Sequence, residues 1–121
     1  MKTVLKNGNV FYQNKIQKLD VEIDGETISQ IGHDLDGENI IDCTDLLVTP
    51  GFVDLHVHLR EPGFEHKGTI KTETLSAKYG GYTHIVAMAN TNPCMDDKET
   101  IEDFIQRVKK DKTKCEAFVS R

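Results

Sequence analysis

Basic stripes are missing from this chain. Its Lys and Arg residues are scattered and its formal net charge is −5, which argues against nucleic acid as the main partner. No apolar run approaches the ~18 residues of a membrane span, so no membrane association is expected. The start, Met1-Lys2-Thr3-Val4-Leu5-Lys6-Asn7-Gly8, breaks off too soon for a signal peptide. Cysteine is scarce: Cys43, Cys94 and Cys115 are odd in number and show no C-x-x-C spacing. That pattern predicts reduced thiols in a cytoplasmic protein. What remains is 121 residues, 37% apolar and 29% charged, enough for one globular domain of ordinary size.

Residues 1–47 show no convincing helix and read as short strands with tight turns. Asn7-Gly8 separates Thr3-Val4-Leu5 from Val10-Phe11-Tyr12, and Asp24-Gly25 separates residues 19–23 from 27–31. Both dipeptides favour the φ > 0 turns that close hairpins. Asp36-Gly37 is a third turn, before Asn39-Ile40-Ile41-Asp42. The expectation is a small antiparallel β unit with no catalytic constellation, and with His33 as a solvated turn residue.

The pattern changes after residue 47. Pro50-Gly51 leads into Phe52-Val53-Asp54-Leu55-His56-Val57-His58-Leu59-Arg60, and Glu61-Pro62-Gly63 then forces a loop. Thr69 is the N-cap expected for a helix over 70–79, ended by Gly80-Gly81. Residues 82–90 read as a strand covered on both sides, stopped by Thr91-Asn92-Pro93. Asp96 or Asp97 caps a second helix, whose stripe is Ile101, Phe104, Ile105 and Val108. Acids sit early in it and Arg107, Lys109 and Lys110 late, complementing the helix dipole. Residues 112–114 read as a loop and 115–119 as a third strand.

The order from 48 onward is thus β-α-β-α-β, which implies parallel pairing with right-handed crossovers. Such a start fits a doubly wound sheet or a (β/α)8 barrel. The first strand-to-helix loop has no G-x-G-x-x-G and no Walker A motif, so a nucleotide fold loses ground.

The strand at 52–60 carries the chemistry. By period-two alternation, Val53, Leu55, Val57 and Leu59 form an apolar face, and Asp54, His56, His58 and Arg60 a polar one. An ordinary solvated face would carry Lys, Glu, Thr or Ser. His56 and His58 have Cα atoms roughly 6.6–6.8 Å apart on one side, close enough for both rings to reach one ion at ~2.0–2.1 Å. Imidazole suits zinc and other borderline divalent metals better than calcium or magnesium. Two ligands leave the coordination incomplete, so others must come from elsewhere. Asp54 could fix the strand end or orient a ligand histidine. Arg60 presents a fork for a carboxylate, or pairs with Glu61 or Glu65. Asn90 could bind the same ligand or cap its turn. His84 reads as a packed core histidine, His66 as solvated, and Cys94 is assigned no role.

The D-x-H-x-H-x-R-E-P-G run and Met88-Ala89-Asn90-Thr91-Asn92-Pro93 resemble the start of an amidohydrolase-superfamily enzyme. Within that superfamily the chain is similar to the dihydroorotases of the longer, type I class, over nearly its whole length. Arg60 is the distinguishing residue, since allantoinases tend to carry Asn there and hydantoinases another residue. Ala89 departs from the family's usual Pro.

The resemblance implies the start of a (β/α)8 TIM-like metal-dependent hydrolase barrel over 48–121, preceded at 1–47 by the N-terminal part of a β-sandwich domain. It implies that His56 and His58 bind Zn2+, one or two ions per subunit, and that Arg60 and Asn90 hold the substrate α-carboxylate. The implied reaction interconverts N-carbamoyl-L-aspartate and L-dihydroorotate in pyrimidine synthesis. A hydantoinase or allantoinase activity, or a non-catalytic scaffold, is the alternative. The implied partners are this small-molecule substrate, a second copy in a homodimer, and another pyrimidine-pathway enzyme. The proton-shuttling aspartate and remaining ligands are expected after residue 121, because a barrel needs roughly 200 residues or more. The 121 residues are therefore expected to be an inactive, aggregation-prone N-terminal fragment.

Overall fold

The computed structural model describes residues 1–113 and 115–120. The chain divides into two units, Met1–Pro50 and Gly51–Arg121.

The first unit is one five-stranded sheet. It contains β1 (Lys2–Tyr12), β2 (Lys15–Asp24), β3 (Thr27–Gly32), β4 (Asn39–Asp42) and β5 (Leu47–Val48). β1, β2 and β3 pair antiparallel. β4 and β5 both run parallel to β1, so the sheet is mixed where antiparallel pairing was expected.

Asn7-Gly8 does not close a hairpin. β1 runs straight through it, with a bulge between Leu5 and Gly8 and Asn7 at φ 61°. The Asn7 N–H donates to Asp20 Oδ1 at 2.8 Å. A Cβ on Gly8 would lie 2.7 Å from Val48 Cγ2, so glycine serves close packing there. The reversal sits instead at Gln13 and Asn14, φ 52° and 60°, the paired positive values of a type I′ turn. The hairpin at Gly25 (φ 61°) joins β2 to β3 as its sequence predicts. His33 is exposed, as expected.

The second unit is a parallel sheet ordered β6 (Phe52–Val57), β7 (Tyr82–Ala87), β8 (Glu116–Val119). The crossovers are α1 (Ile70–Tyr79) and α2 (Lys98–Asp111). Thr69 caps α1 reciprocally with Thr72, and Gly81 (φ 87°) follows its end. Asp97 caps α2, accepting from Thr100 N–H at 2.8 Å. Lys112 closes α2 in the left-handed region. Of the loop expected at 112–114, residue 114 lies outside the described residues.

Leu59, Ile70, Ile85, Ala87, Met95, Phe104 and Cys115 form the core of this unit. Full burial of a side chain such as Ile70 or Phe104 stabilises by about 1.5–3 kcal/mol. Three expectations shift here. The α2 stripe is narrower: Ile101, Phe104 and Val108 join the core while Ile105 stays exposed. The middle strand ends at Ala87, and its buried residues are Ile85 and Ala87, whereas Thr83 is exposed and Val86 half-buried. The third strand begins at Glu116, after the buried Cys115.

β6 also departs from strict alternation. Asp54 to Val57 spans the step from Ile85 to Ala87 on β7, a bulge that shifts parity. Val53 and Leu55 are consequently exposed, while Val57 and Leu59 pack into the core. No helix among the described residues is long and apolar enough to cross a membrane.

Candidate active site

The carboxyl end of β6 and the loop after β7 meet at two side chains. His58 Nδ1 lies 3.0 Å from Asn90 Oδ1. The backbone explains the meeting: Met88 N–H donates to Val57 O at 2.8 Å, tying the two strand ends together just ahead of both residues. The His56 and His58 rings lie 5.2 Å apart between centroids, inclined at 63°. Both are exposed, as is Asn90. Asp54 Oδ1 accepts from the His56 backbone N–H at 3.0 Å, so Asp54 steadies the bulge and does not engage an imidazole.

Arg60 follows on the same segment. Its backbone N–H donates to Glu73 Oε2 at 2.9 Å. Neither Glu61 nor Glu65 pairs with its guanidinium. Both carboxylates go to Arg107 of α2, at 3.0 and 3.8 Å. Among the described residues, no ion pair or hydrogen bond involves the Arg60 guanidinium. Glu61 also accepts from the Ile70 N–H at 2.9 Å, satisfying the first turn of α1. The Gly63 N–H lowers the Glu65 carboxyl below its ordinary value, with help from the Arg107 charge.

Arg107, Glu61 and Glu73 are thus the residues that hold the loop bearing Arg60. The sequence marks Arg107 only as a late base on α2. Asp103, one turn before it and 2.7 Å away, was the local sign that its guanidinium is held in place. An open groove of about 350 Å³ lies beside Arg107, lined by Glu61, Asp103 and Lys110, away from the histidines.

The loops from β6 and β7 also touch. Asn92 N–H donates to Pro62 O at 3.1 Å. Gly63 has φ 96°, and a Cβ on it would lie 2.0 Å from Asn92 O. Only glycine suits that position.

His84 is not a core histidine. Its side chain is 44% exposed, because its neighbours Ile85 and Ala87 supply the buried face. The ring stacks on Phe118 at 6.1 Å and meets Thr83 Oγ1 at 2.9 Å. His66 is exposed, as its loop position predicts. Cys94 is exposed and donates to Ala89 O.

Two imidazoles on one wall suit zinc by their donor chemistry. Among the described residues, no third His, Cys, Asp or Glu joins them to make a metal cluster. The arrangement is a partial donor set.

Residues 45–118 match the dihydro-orotase-like family. The chain is 44% identical to a dihydroorotase of Lactobacillus johnsonii over 110 residues, 91% of this chain and 26% of that protein. It is 47% identical to a dihydroorotase of Bacillus subtilis over 118 residues, 95% of this chain and 27% of that protein. Among solved structures it resembles a D-hydantoinase (dihydropyrimidinase) of Thermus sp., with a TM-score of 0.74 and 28% identity. That likeness covers 97% of this chain and 26% of the other. The chain spans about a quarter of the length of the curated relatives it matches, and its fold is that of the start of an amidohydrolase TIM barrel. A match across 45–118 covers well over half of the residues and takes in His56, His58, Arg60 and Asn90, so this chain belongs to the dihydro-orotase-like family.

Proposed function

We propose that this chain forms one wall of the active site of a zinc-dependent cyclic amidohydrolase. The reaction interconverts N-carbamoyl-L-aspartate and L-dihydroorotate in de novo pyrimidine (UMP) biosynthesis. The observation that carries the reading is the pair of imidazoles 5.2 Å apart, followed by an arginine whose guanidinium has no carboxylate partner among the described residues. The relatives named dihydroorotase support the substrate.

His56 and His58 would hold one or two zinc ions together with ligands outside the described residues. When bound, the metal activates water and polarises the ring carbonyl. Arg60 forks onto the substrate α-carboxylate, and the Asn90 amide adds a donor. Together they hold the ring with its scissile amide against the histidine wall. In the hydrolytic direction the water oxygen bonds to the ring carbonyl carbon and stays on the new carboxylate, while the ring C–N bond breaks and its nitrogen takes a proton from an aspartate outside the described residues. Residues 1–47 belong to the N-terminal part of a β-sandwich domain, and 48–121 to the first strands and helices of an incomplete barrel. The parent protein works in the cytoplasm as a homodimer, with another pyrimidine-pathway enzyme as a further partner.

A second reading is a different cyclic amidohydrolase, favoured by the likeness to a D-hydantoinase. Arg60 opposes it, because unsubstituted hydantoin has no carboxylate to pair with a guanidinium. A non-catalytic scaffold is the third reading. Hydrolysis of dihydroorotate, allantoin and hydantoin by the parent protein separates the three. Turnover of dihydroorotate alone is expected, and preference for hydantoin or no turnover at all overturns the proposal.

A further inference from the structure

We propose that Asn90 is a positioning residue for His58, holding the imidazole in its Nδ1–H tautomer so that Nε2 is the electron-pair donor offered to the metal. This rests on reading His58 as a metal ligand. An amide oxygen can only accept a hydrogen bond. With Asn90 Oδ1 facing His58 Nδ1 at 3.0 Å, the pair forms a hydrogen bond in the tautomer whose Nδ1 carries the hydrogen. In a neutral imidazole that leaves the lone pair on Nε2, since the bond made by one ring nitrogen sets the state of the other.

Asn90 is itself held from both sides. Ala89 O accepts from Met95 N–H at 3.0 Å and from Cys94 Sγ at 3.1 Å. The buried Thr91 turns its hydroxyl onto Pro93 O at 2.7 Å. The Asn90 amide nitrogen makes no hydrogen bond to a described residue. One amide can thus serve two neighbours: its oxygen orients His58, and its NH2 is left to donate to a substrate carboxylate. Partners of this kind fix ring orientation, and losing one weakens metal binding by about 10–100-fold.

The test uses the 121-residue chain with 15N-labelled histidine. Long-range 15N–1H correlation reads the His58 tautomer, and zinc titration followed by the same signals reads affinity. Magic-angle-spinning spectra report the same tautomer if the chain self-associates. Wild type is expected to show Nδ1–H. Asn90→Asp, which keeps an acceptor, should preserve it. Asn90→Leu should release it to the Nε2–H form and weaken zinc binding at least about tenfold; Asn90 is exposed, so neither variant disturbs the core. An Nε2–H tautomer in wild type, meaning an amide turned to donate, overturns the proposal. So does an Asn90→Leu chain with unchanged tautomer and affinity, while zinc loss in His58→Ala keeps the metal reading. Zinc binding that survives His58→Ala overturns the metal reading, and the proposal falls with it.

Discussion

Arg107 of α2 donates to Glu61, 46 positions earlier in the chain, across 3.0 Å. Through that bond a helix on the outside of the sheet holds the loop that carries Arg60. The same Glu61 carboxylate takes the first amide of α1, so one side chain joins two helices to the segment after β6. Arg107→Met should loosen this loop. Its guanidinium is 38% exposed, so the expected stability loss is small, about 1 kcal/mol. In the parent enzyme the larger effect should be a raised KM with kcat little changed, because Arg60 would be less well aimed. Urea denaturation and steady-state kinetics read both. A Glu61→Gln, Arg107→Met double-mutant cycle should show non-additivity.

Gly63→Ala should be far worse. Its φ of 96° suits glycine, and the new Cβ would overlap Asn92 O. Backbone strain alone costs about 1–3 kcal/mol, and relief of the overlap must part the two loops. Thermal unfolding should shift down by several degrees, roughly as a 100-residue unit responds to such a loss. An unchanged midpoint would show that the loops do not meet as described.

The contrast between these loops and the helices shows what local sequence can reveal. The ends of α1 were legible because Thr69 and Gly80-Gly81 act within a few residues of themselves. Asn7-Gly8 misled because turn preference is also local. Pairing of β1 with β2 along most of its length outweighs it, and the dipeptide becomes a bulge. His84 was misread because its exposure depends on which face of β7 the helices cover, a tertiary property. The histidine pair was legible from spacing. The bonds that aim it were not, since Asn90 lies 32 residues from His58.

Acid should weaken the first unit through Asp20. Burial pushes its carboxyl up, but the N–H groups of Asn7 and Leu35 and the Lys6 ammonium outweigh burial, leaving it below 3.8. A folded-state value below the unfolded one means the stabilisation is fully present above about pH 4 and is lost as pH falls through the folded value. Asp20→Asn should be less stable at neutral pH and show a flatter loss between pH 4 and 2. Urea midpoints across that range check it. A steeper acid loss in the variant would contradict the assignment.

His56→Ala and His58→Ala should each remove zinc and abolish turnover of the parent protein without unfolding it. Both side chains are exposed and lie outside the core cluster, so circular dichroism should be unchanged while metal content falls. Residual zinc at the wild-type level would remove the metal assignment.

Residues 1–121 alone should turn over no dihydroorotate, with or without added zinc. The wall offers two imidazoles and no third ligand among the described residues. Val53, Leu55 and Phe118 remain 56%, 70% and 49% exposed, and the outer sides of β6 and β8 pair with no strand among the described residues. Unpaired parallel edges with apolar side chains favour self-association. Light scattering should show concentration-dependent assembly, and a dihydroorotate hydrolysis assay should stay at background. Turnover by the purified chain would mean that its own residues, or a second copy of them, complete the site, and the division of the active site between this segment and the rest of the barrel would be wrong.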